Sequence, residues 1–348
     1  MICDICHPKQ KGYTIYFHHE SKVIWNYFRN ITTDLYRFVS DTTLWLSEPV
    51  FFAFLDYAKI HLQTETILAA ESEWISPLED KYPRKKLVDF TAEKEASWID
   101  DIILNNDITS YFQAIVQLKD NKPTIIGYEM LSRGLDHRGD IIPPNLLFDA
   151  ARKRNRLFSL DRACRLQSVR NASIIPNSLV FINFIPTAIY NPEHCLESTF
   201  ALIKKLNLNP ENIVFEVVET DEINELTHLQ SILSYYRKHG FKYALDDVGV
   251  GYNNIEKLEA IKPDIVKLAF EYCNGVSNDV EKQVMANAVL EATHRIGALA
   301  LAEGVETVED LEYLKEMGFD LFQGYYFAKP SPTPLTQTEL ENILRMTY

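Results

Sequence analysis

The sequence predicts an α/β fold: a TIM-like (β/α)8 barrel with one antiparallel strand, preceded by a smaller, mainly helical N-terminal domain. Short apolar strands alternate with helical stretches along most of the chain, and about 250 residues is the usual size of such a barrel. The predicted strands cover residues 112–118, 124–131, 179–185, 213–218, 243–245, 265–268, 298–302 and 321–327. The predicted helices cover residues 161–172, 196–206, 222–239, 253–260, 280–296 and 308–317. We therefore assign residues 106–348 to the barrel and residues 1–105 to the N-terminal domain.

The connection between the first two predicted strands is unusually short. Residues 119–123 separate them, which leaves no room for a crossover helix. The two strands are therefore expected to pair antiparallel, so that one strand of the barrel runs against the others.

The composition is that of a folded protein with a sizeable core, since 46% of the 348 residues are hydrophobic and 24% are charged. The formal net charge of −14 argues against binding a polymeric nucleic acid, whose phosphates an acidic protein repels. No apolar run reaches the roughly 18 residues that cross a bilayer, and the N-terminus lacks a signal peptide. We expect a cytoplasmic protein without a membrane span.

The five cysteines are few, odd in number and scattered, which is typical of a reducing compartment. Cys3, Cys6 and His7 match the attachment pattern of a c-type haem, but that chemistry requires export. Half of a zinc site, or chance, is the better interpretation of these three residues.

The N-terminal region is predicted to be helical and rich in aromatic residues. Residues 21–40 carry apolar side chains at helical spacing, and a second helix is predicted to begin at Ser47 with Pro49 in its first turn. We interpret the aromatic stripe as core. Residues 91–105 form a predicted amphipathic helix that either connects the domains and pairs with its copy in a dimer, or simply docks on the fold. A separate region joined in this way is expected to regulate the barrel.

Polar side chains interrupt the predicted strands near their carboxyl ends, where the reactive residues of an α/β barrel lie. An unpaired polar group inside an apolar strand costs several kcal/mol, so folding alone does not explain their recurrence from strand to strand. The residues are Glu129, Asn183, Glu216, Glu219, Asp246, Asp247, Lys267, Glu303, Glu306 and Gln323.

If the strands converge, five of these carboxylates would surround Lys267 and give a formal charge of −4: Glu129, Glu216, Asp246, Asp247 and Glu303. Carboxylates this close raise one another's pKa, and a divalent metal relieves the repulsion. Oxygen ligands without Cys or His favour Mg²⁺ or Mn²⁺, and Ca²⁺ is able to bind the same oxygens. Asp246 and Asp247 suit a site with two metal ions that hydrolyses a phosphate ester. One of the two aspartates would bridge the ions. Taken alone, this pair of acids before Gly249 is equally compatible with a helix cap.

Seven motifs, in this order and spacing, resemble the EAL-domain family of cyclic di-GMP phosphodiesterases. They are YEMLSR, FINF, FEVVET, DDVGVGY, DIVKL, LAEGVET and FQGYYFAKP, within residues 106–348. The resemblance implies metal-dependent hydrolysis of cyclic di-GMP, a bacterial second messenger, to linear pGpG. It also implies a homodimer with two Mg²⁺ or Mn²⁺ ions in each site. Ca²⁺ would occupy the same site without supporting the reaction.

The resemblance also implies a role for each acid. The first metal would be bound by Glu129, Asn183, Glu216 and Asp246. Asp246 would bridge to the second metal, which Asp247 also binds. Glu303, counted with the metal ligands, and Lys267 would hold the attacking water and serve in proton transfer, so that Asp247, Glu303 and Lys267 are the implied catalytic residues.

Three further residues are implied to bind substrate or water: Arg133, Gln113 and Gln323. The planar guanidinium of Arg133 suits a phosphate, although an ordinary surface ion pair is the structural alternative. Glu219 and Glu306 are implied to brace loops, where a glutamate is otherwise simply solvated.

Several positions depart from the family pattern. Met130 replaces the usual alanine and Ala114 the usual proline, while Val248 and Val250 stand where phenylalanine and threonine or alanine are usual. In the family the loop after Asp247 couples dimer formation to catalysis, so these valines suggest lowered or differently regulated activity. The alternative function is therefore a weak or inactive EAL domain that acts as a cyclic di-GMP receptor or protein-interaction module. Each metal ligand that the resemblance implies here is present in the sequence, which favours the enzyme.

Overall fold

The computed structural model describes residues 12–18, 24, 28, 33–119, 122–217, 226–249 and 255–347. The chain divides into two units, residues 1–101 with 148–159 and residues 102–147 with 160–348. No helix of the described residues is both long and apolar enough to cross a membrane. The predicted features at Cys3, Cys6, His7, Glu219 and Val250 lie outside the described residues.

The first unit contains a five-stranded antiparallel sheet. Its strands are β1 (Gly12–Tyr16), β2 (Tyr36–Ser40), β3 (Thr43–Ser47), β4 (Leu68–Ser72) and β5 (Lys85–Lys86), in the order β2-β3-β1-β4-β5. Among the described residues of this part of the chain, three helices have defined bounds: α1 (Glu48–His61), α2 (Phe90–Glu95) and α3 (Trp98–Asn105). Aromatic side chains fill the core, where the ring of Tyr13 stacks on that of Phe51 with centroids 4.1 Å apart.

The predicted helices of the N-terminal region are present in part. Helix α1 begins directly after Ser47 with a proline in its first turn, as predicted. Ile24 and Phe28 are helical and buried, in agreement with a core role for the apolar stripe. Residues 36–40, however, form β2 instead of continuing the predicted helix, because their aromatic and β-branched side chains favour a strand.

Two further features of this region were not predicted. The sheet itself is absent from the sequence-based expectation, because its strands are short and several are buried on both faces, which removes the alternation that marks a strand. The helix predicted for residues 91–105 is broken at Ala96, whose backbone leaves helical geometry at φ −90° and ψ 5°.

The second unit contains the barrel. Its strands are β6 (Ile108–Lys119), β7 (Lys122–Leu135), β8 (Ile141–Ile142), β9 (Leu179–Phe184), β10 (Ile213–Val217), β11 (Lys242–Val248), β12 (Ile265–Leu268), β13 (Leu299–Ala302) and β14 (Leu321–Phe322). The helices that follow α3 are α4 (Pro144–Lys153), α5 (Leu157–Ala172), α6 (Pro192–Lys205), α7 (Leu226–Lys238), α8 (Ile255–Ile261), α9 (Phe270–Cys273), α10 (Val280–Arg295), α11 (Val308–Met317) and α12 (Gln337–Thr347).

Eight of these strands close into a barrel in the order β6-β14-β13-β12-β11-β10-β9-β7, and β6 pairs with β7 to complete the ring. Strand β8 adds to β7 outside the ring. Strand β6 is antiparallel to both of its neighbours, whereas the other pairs within the ring are parallel. The predicted barrel with one antiparallel strand is therefore confirmed.

An apolar layer fills the interior of the barrel. It forms a buried cluster with one residue from each of seven strands: Ile115, Phe181, Val214, Ala244, Ile265, Leu301 and Leu321. Strand β7 contributes Gly127, where a Cβ atom would lie 2.6 Å from the carbonyl oxygen of Leu179. A separate, larger cluster of apolar residues includes the outward-facing side chains of the strands and those of the surrounding helices. The barrel is thus plugged below the level at which polar side chains begin.

Candidate active site

A layer of polar side chains lies directly above the apolar layer. Successive residues of a strand face opposite sides, so the residue two positions after an interior residue also faces the interior. In each parallel strand, the residue two positions after the residue of the apolar layer is polar, and the same is true two positions after Gly127. Strand β6 runs in the opposite direction, so its polar residue lies two positions before the residue of the apolar layer. This polar layer consists of Gln113, Glu129, Asn183, Glu216, Asp246, Lys267, Glu303 and Gln323.

The register of the sheet fixes the height of the polar layer. Gln113 lies opposite Glu129 in the β6–β7 pair, and Asn183 lies opposite Glu216 in the β9–β10 pair. The structure therefore brings together at one end of the barrel the residues that the strand ends supply in the sequence.

Lys267 lies among the acidic members of the polar layer. Its side chain is 1% exposed, and its Nζ atom contacts four carboxylates. The distances are 2.5 Å to Glu303 Oε1, 2.7 Å to Glu216 Oε1, 2.9 Å to Asp246 Oδ1 and 3.7 Å to Glu129 Oε2. Acids thus outnumber the ammonium group in an interior with little solvent.

Two amides hold the carboxylate of Glu129. Asn183 Nδ2 donates a hydrogen bond to Oε1 at 2.9 Å, and Gln323 Nε2 donates one to Oε2 at 2.8 Å. Each oxygen of Glu129 therefore has its own neutral donor, and the side chain has a fixed orientation.

Burial and charge act in opposite directions on the pKa values in this layer. Burial raises the pKa of Glu216 and of Glu303 well above the usual value, and neighbouring carboxylates raise both further. Burial has the same tendency at Glu129, but Lys267 and the two amides outweigh it and lower its pKa. Burial favours the neutral amine of Lys267, yet the surrounding acids outweigh it and raise its pKa well above the usual value.

The strand that carries Asp246 and Asp247 is irregular at this point. The pairing of β11 with β12 shifts between Leu245 and Val248, and Asp247 adopts a left-handed backbone with φ 51°. A non-glycine residue in this conformation carries strain, which is common at functional sites. The irregularity lets two successive acids serve one site: oxygens of Asp246, Asp247 and Glu303 lie within 4.8 Å of one another. We call these three residues the acidic cluster.

Val248 is part of strand β11 and not of the following loop. It is fully buried and pairs with Leu268 of β12. The loop proper begins at Gly249, whose φ of 111° suits glycine and where a Cβ atom would lie 2.9 Å from the ring of Tyr272.

A cavity of about 420 Å³ opens above the polar layer. Its described lining contains Gln113, Glu129, Asp246, Asp247, Lys267, Phe270, Glu303, Gly304, Glu306, Gln323, Gly324 and Tyr325. The cavity therefore unites the acidic cluster with the predicted residues Gln113, Gln323 and Glu306. Phe270 and Tyr325 were not selected from the sequence, because nothing in their spacing separates a cavity aromatic from a core aromatic.

Arg133 is not among the described residues that line this cavity. Its guanidinium lies over the ring of Tyr111 at 5.1 Å from the ring centroid and donates a hydrogen bond from Nη1 to the carbonyl of Ser132 at 2.8 Å. Burial lowers the pKa of this arginine.

Comparison with known proteins gives a consistent family. The family model of the EAL domain matches residues 96–330. The chain is 29% identical over 236 residues to the probable cyclic di-GMP phosphodiesterase PdeG of Escherichia coli (strain K12), a match that covers 66% of this chain and 45% of PdeG. It is 24% identical over 218 residues to the blue light- and temperature-regulated antirepressor BluF of the same strain, covering 63% of this chain and 49% of BluF. The chain thus spans less than half the length of either relative.

Among solved structures, the barrel is similar to a standalone versatile EAL protein from Vibrio cholerae O395 in its c-di-GMP-bound form. The sequences are 32% identical, the TM-score is 0.59, and the match covers 66% of this chain and 95% of that protein. The family match, this structural likeness and the plugged barrel with its polar layer agree: the chain belongs to the EAL domain family.

Proposed function

We propose that the barrel is a metal-dependent phosphodiesterase that hydrolyses cyclic di-GMP to linear pGpG. Membership of the EAL domain family supports this function, as do the name of PdeG and the ligand of the Vibrio cholerae protein. The observation that carries the proposal is the acidic cluster beside the buried ammonium group of Lys267. Carboxylates this close together repel one another, and bound cations relieve the repulsion.

The polar layer fits Mg²⁺ or Mn²⁺. Gln323 Oε1 is buried and has no hydrogen-bond partner among the described residues, although an unsatisfied buried oxygen costs about 1 to 3 kcal/mol. All candidate ligand atoms are oxygens, which hard divalent cations prefer. One ion would be held by Glu129, Asn183, Glu216 and Asp246, and a second would be held by Asp246, Asp247 and Glu303. Ca²⁺ would occupy the same oxygens without productive chemistry. Bound ions would supply an activated water and neutralise phosphate charge.

Lys267 and Glu303 are proposed to handle protons. An ammonium group has three donors and no acceptor, so Lys267 orients the carboxylates around it and donates to a developing negative charge. Glu303, whose Oε1 lies 2.5 Å from Lys267 Nζ, accepts the proton of the attacking water at its carboxylate. Gln323 holds Glu129 through Nε2 and has its Oε1 available to orient a water molecule.

Gln113 and Arg133 are proposed to bind the substrate. Gln113 lines the cavity beside Glu129, within reach of a ligand above the acidic cluster. Arg133 donates to Ser132 and lies over Tyr111, and a phosphate would recruit its remaining donors through a planar fork. Glu306 lines the same cavity and is proposed to order the loop after β13, and Glu219 is proposed to brace the loop after Asp247.

The full chain should convert cyclic di-GMP to pGpG in the presence of Mg²⁺ or Mn²⁺. It should form no pGpG with Ca²⁺ or with a chelator. Asp246→Asn and Glu129→Gln should lower the rate by about a hundredfold or more, because each removes a charge from the reacting centre. Glu312→Gln, which changes a partly exposed acid paired with Lys315, is the matched control and should retain the rate. Product analysis by anion-exchange chromatography decides the outcome.

A receptor without turnover is the second candidate function. The similarity to BluF favours it, because the name of that relative describes an antirepressor and not a hydrolase. Tight binding of cyclic di-GMP with no pGpG under either metal would establish the receptor and refute the enzyme.

We also propose that residues 1–105 regulate the barrel and that the protein acts as a cytoplasmic homodimer. Truncation is a poor test, because residues 148–159 belong to the first unit. There Arg154, with no exposed surface, forms an ion pair with Glu48 at 2.8 Å and another with Asp100. Sedimentation of the full chain with and without cyclic di-GMP tests the dimer, and a monomer at every concentration would contradict it.

A further inference from the structure

Phe270 is an exposed aromatic residue in a charged cavity. It is the first residue of helix α9, three positions after Lys267, and 51% of its side chain is exposed. The cavity that it lines is otherwise rich in acids and amides. A large apolar ring at such a place is costly in water, since its burial would contribute a substantial hydrophobic free energy.

The ring of Phe270 is held against the backbone that follows Glu303. A Cβ atom built on Gly304 would lie 2.0 Å from Cδ2 of the ring, 2.8 Å from Cε2 and 3.0 Å from Cγ. Gly304 has φ 71°, a conformation that glycine adopts without strain. The absence of a side chain at residue 304 therefore lets one edge of the ring, at Cδ2, approach the chain next to an acid of the acidic cluster, while about half of the residue stays exposed.

Tyr325 is the other aromatic residue among the described lining residues, and 53% of its side chain is exposed. The ammonium group of Lys329 lies 5.3 Å from the centroid of its ring, so a cation already accompanies this ring. For Phe270, the described neighbour is Gly304, which lies at one edge of the ring and carries no charge. Phe270 is thus the better platform for a flat, neutral ring.

We propose that Phe270 stacks on a purine base of the cyclic dinucleotide and thereby sets the preference of the site for a purine next to the scissile phosphate. This inference rests on the proposed function, because binding at the acidic cluster would fix the position of the phosphate. The bound phosphate would in turn fix the position of the base. Stacking of a base on an aromatic side chain changes affinity by about tenfold or more per base, and it requires a ring and not merely an apolar group.

The test uses the full chain with Ca²⁺, so that binding is measured apart from turnover. The probes are cyclic di-GMP, by calorimetry, and a cyclic dinucleotide in which 2-aminopurine replaces one guanine, whose fluorescence falls when it stacks. The variants are Phe270→Ala, Phe270→Leu, which keeps apolar bulk without a ring, and Phe270→Tyr, which keeps the ring. Phe38→Ala is the matched control, because Phe38 is 41% exposed and belongs to the first unit.

The alanine and leucine variants should each bind about tenfold more weakly and lose the quenching, while Phe270→Tyr and Phe38→Ala stay within about threefold of the parent chain. Unchanged affinity or quenching in the leucine variant would overturn the inference. Loss of affinity together with a change in sedimentation would also overturn it, because Phe270 would then act in an interface between copies of the chain.

Product formation by the parent chain separates a failure of the proposed hydrolysis from a failure of the stacking. If the parent chain binds the probes but yields no pGpG with Mg²⁺ or Mn²⁺, the enzyme is refuted while the binding series still decides the role of Phe270. If the parent chain binds neither probe, both the proposed ligand and the stacking are refuted.

Discussion

Nζ of Lys267 lies 2.7 Å from Oε1 of Glu216 inside the barrel, and neither side chain is more than 1% exposed. A buried ion pair gains little net stability, because the cost of removing both charges from water offsets their attraction. Removal of one partner is different, since it leaves an uncompensated charge. The pair therefore makes the barrel sensitive to changes at either residue.

Lys267→Met should lower the free energy of unfolding of the barrel by about 3 to 5 kcal/mol in protein kept free of divalent ions. Four carboxylates would lose the ammonium group that they share. The control is Lys315→Met, which removes a partly exposed partner of Glu312 and should cost no more than about 1 kcal/mol.

Urea unfolding followed by circular dichroism measures this difference. All four tryptophans of the chain lie within residues 25–98, so their fluorescence reports on the first unit and serves as an internal reference. Equal effects of the two lysine substitutions would mean that Lys267 does not hold the acids together.

Divalent ions should stabilise the barrel, because under the proposed function they bind the folded acidic cluster and not the dispersed acids of the unfolded chain. At a concentration of a hundred times the dissociation constant the gain is about 2.7 kcal/mol. Mg²⁺ or Mn²⁺ should therefore raise the thermal midpoint relative to a chelator, and Asp246→Asn should remove most of the increase. Glu312→Gln should keep it. An equal increase in the Asp246 variant would place the ions elsewhere.

Asp310 should make the barrel more sensitive to acid. Its carboxylate is 1% exposed and accepts hydrogen bonds from Ser277 N at 2.9 Å, Gly275 N at 3.0 Å and Thr307 Oγ1 at 2.8 Å. Burial opposes the charged form, but these hydrogen bonds outweigh it and lower the pKa. The stabilisation is therefore fully present above the unfolded pKa near 4 and is lost as the pH falls through the lower folded pKa.

Asp310→Asn should cost about 1 to 3 kcal/mol at neutral pH, and the difference from the parent chain should shrink below about pH 4. Glu309→Gln changes the neighbouring acid and should have an effect within about 0.5 kcal/mol. Chemical unfolding from about pH 3 to 8 provides the comparison. A difference that does not vary with pH would show that shape, and not charge, matters at residue 310.

The barrel was predictable because short apolar strands alternate with helices, and most of these strands carry two further signals. An apolar residue such as Phe181 or Val214 marks the interior, and a polar residue two positions later, such as Asn183 or Glu216, marks the carboxyl end. The short connection before β7 likewise allowed only antiparallel pairing. These signals are local, so they do not depend on the rest of the fold.

The features that the sequence did not predict depend on contacts between residues that lie far apart in the chain. Strand β3 is buried along its whole length, so it lacks the alternation that identifies a strand. Residues 148–159 join the first unit through contacts such as that of Arg154 with Asp100, far apart in the sequence. The place of Phe270 in the cavity depends on the bare backbone of Gly304, which no periodicity shows.

Gly304→Ala should destabilise the barrel through Phe270. Alanine at φ 71° costs about 1 to 2 kcal/mol by itself, and the Cβ atom at 2.0 Å from the ring adds a steric clash. Gly297→Ala separates the two causes, because residue 297 has φ 77° but a Cβ atom there would meet nothing within 4 Å. The loss at residue 304 should therefore exceed the loss at residue 297 by about 1 kcal/mol or more.

The clash also predicts non-additivity. In the Phe270→Ala background the ring is gone, so Gly304→Ala should cost no more than Gly297→Ala does in the parent chain. Thermal and urea midpoints of the two single variants and the double variant complete a double-mutant cycle. A coupling free energy of about 0.5 to 3 kcal/mol is typical of residues in contact. Strict additivity would mean that the ring moves aside freely and does not rest on Gly304. A strong coupling would show that the loop after Glu303 and the ring of Phe270 occupy one position together.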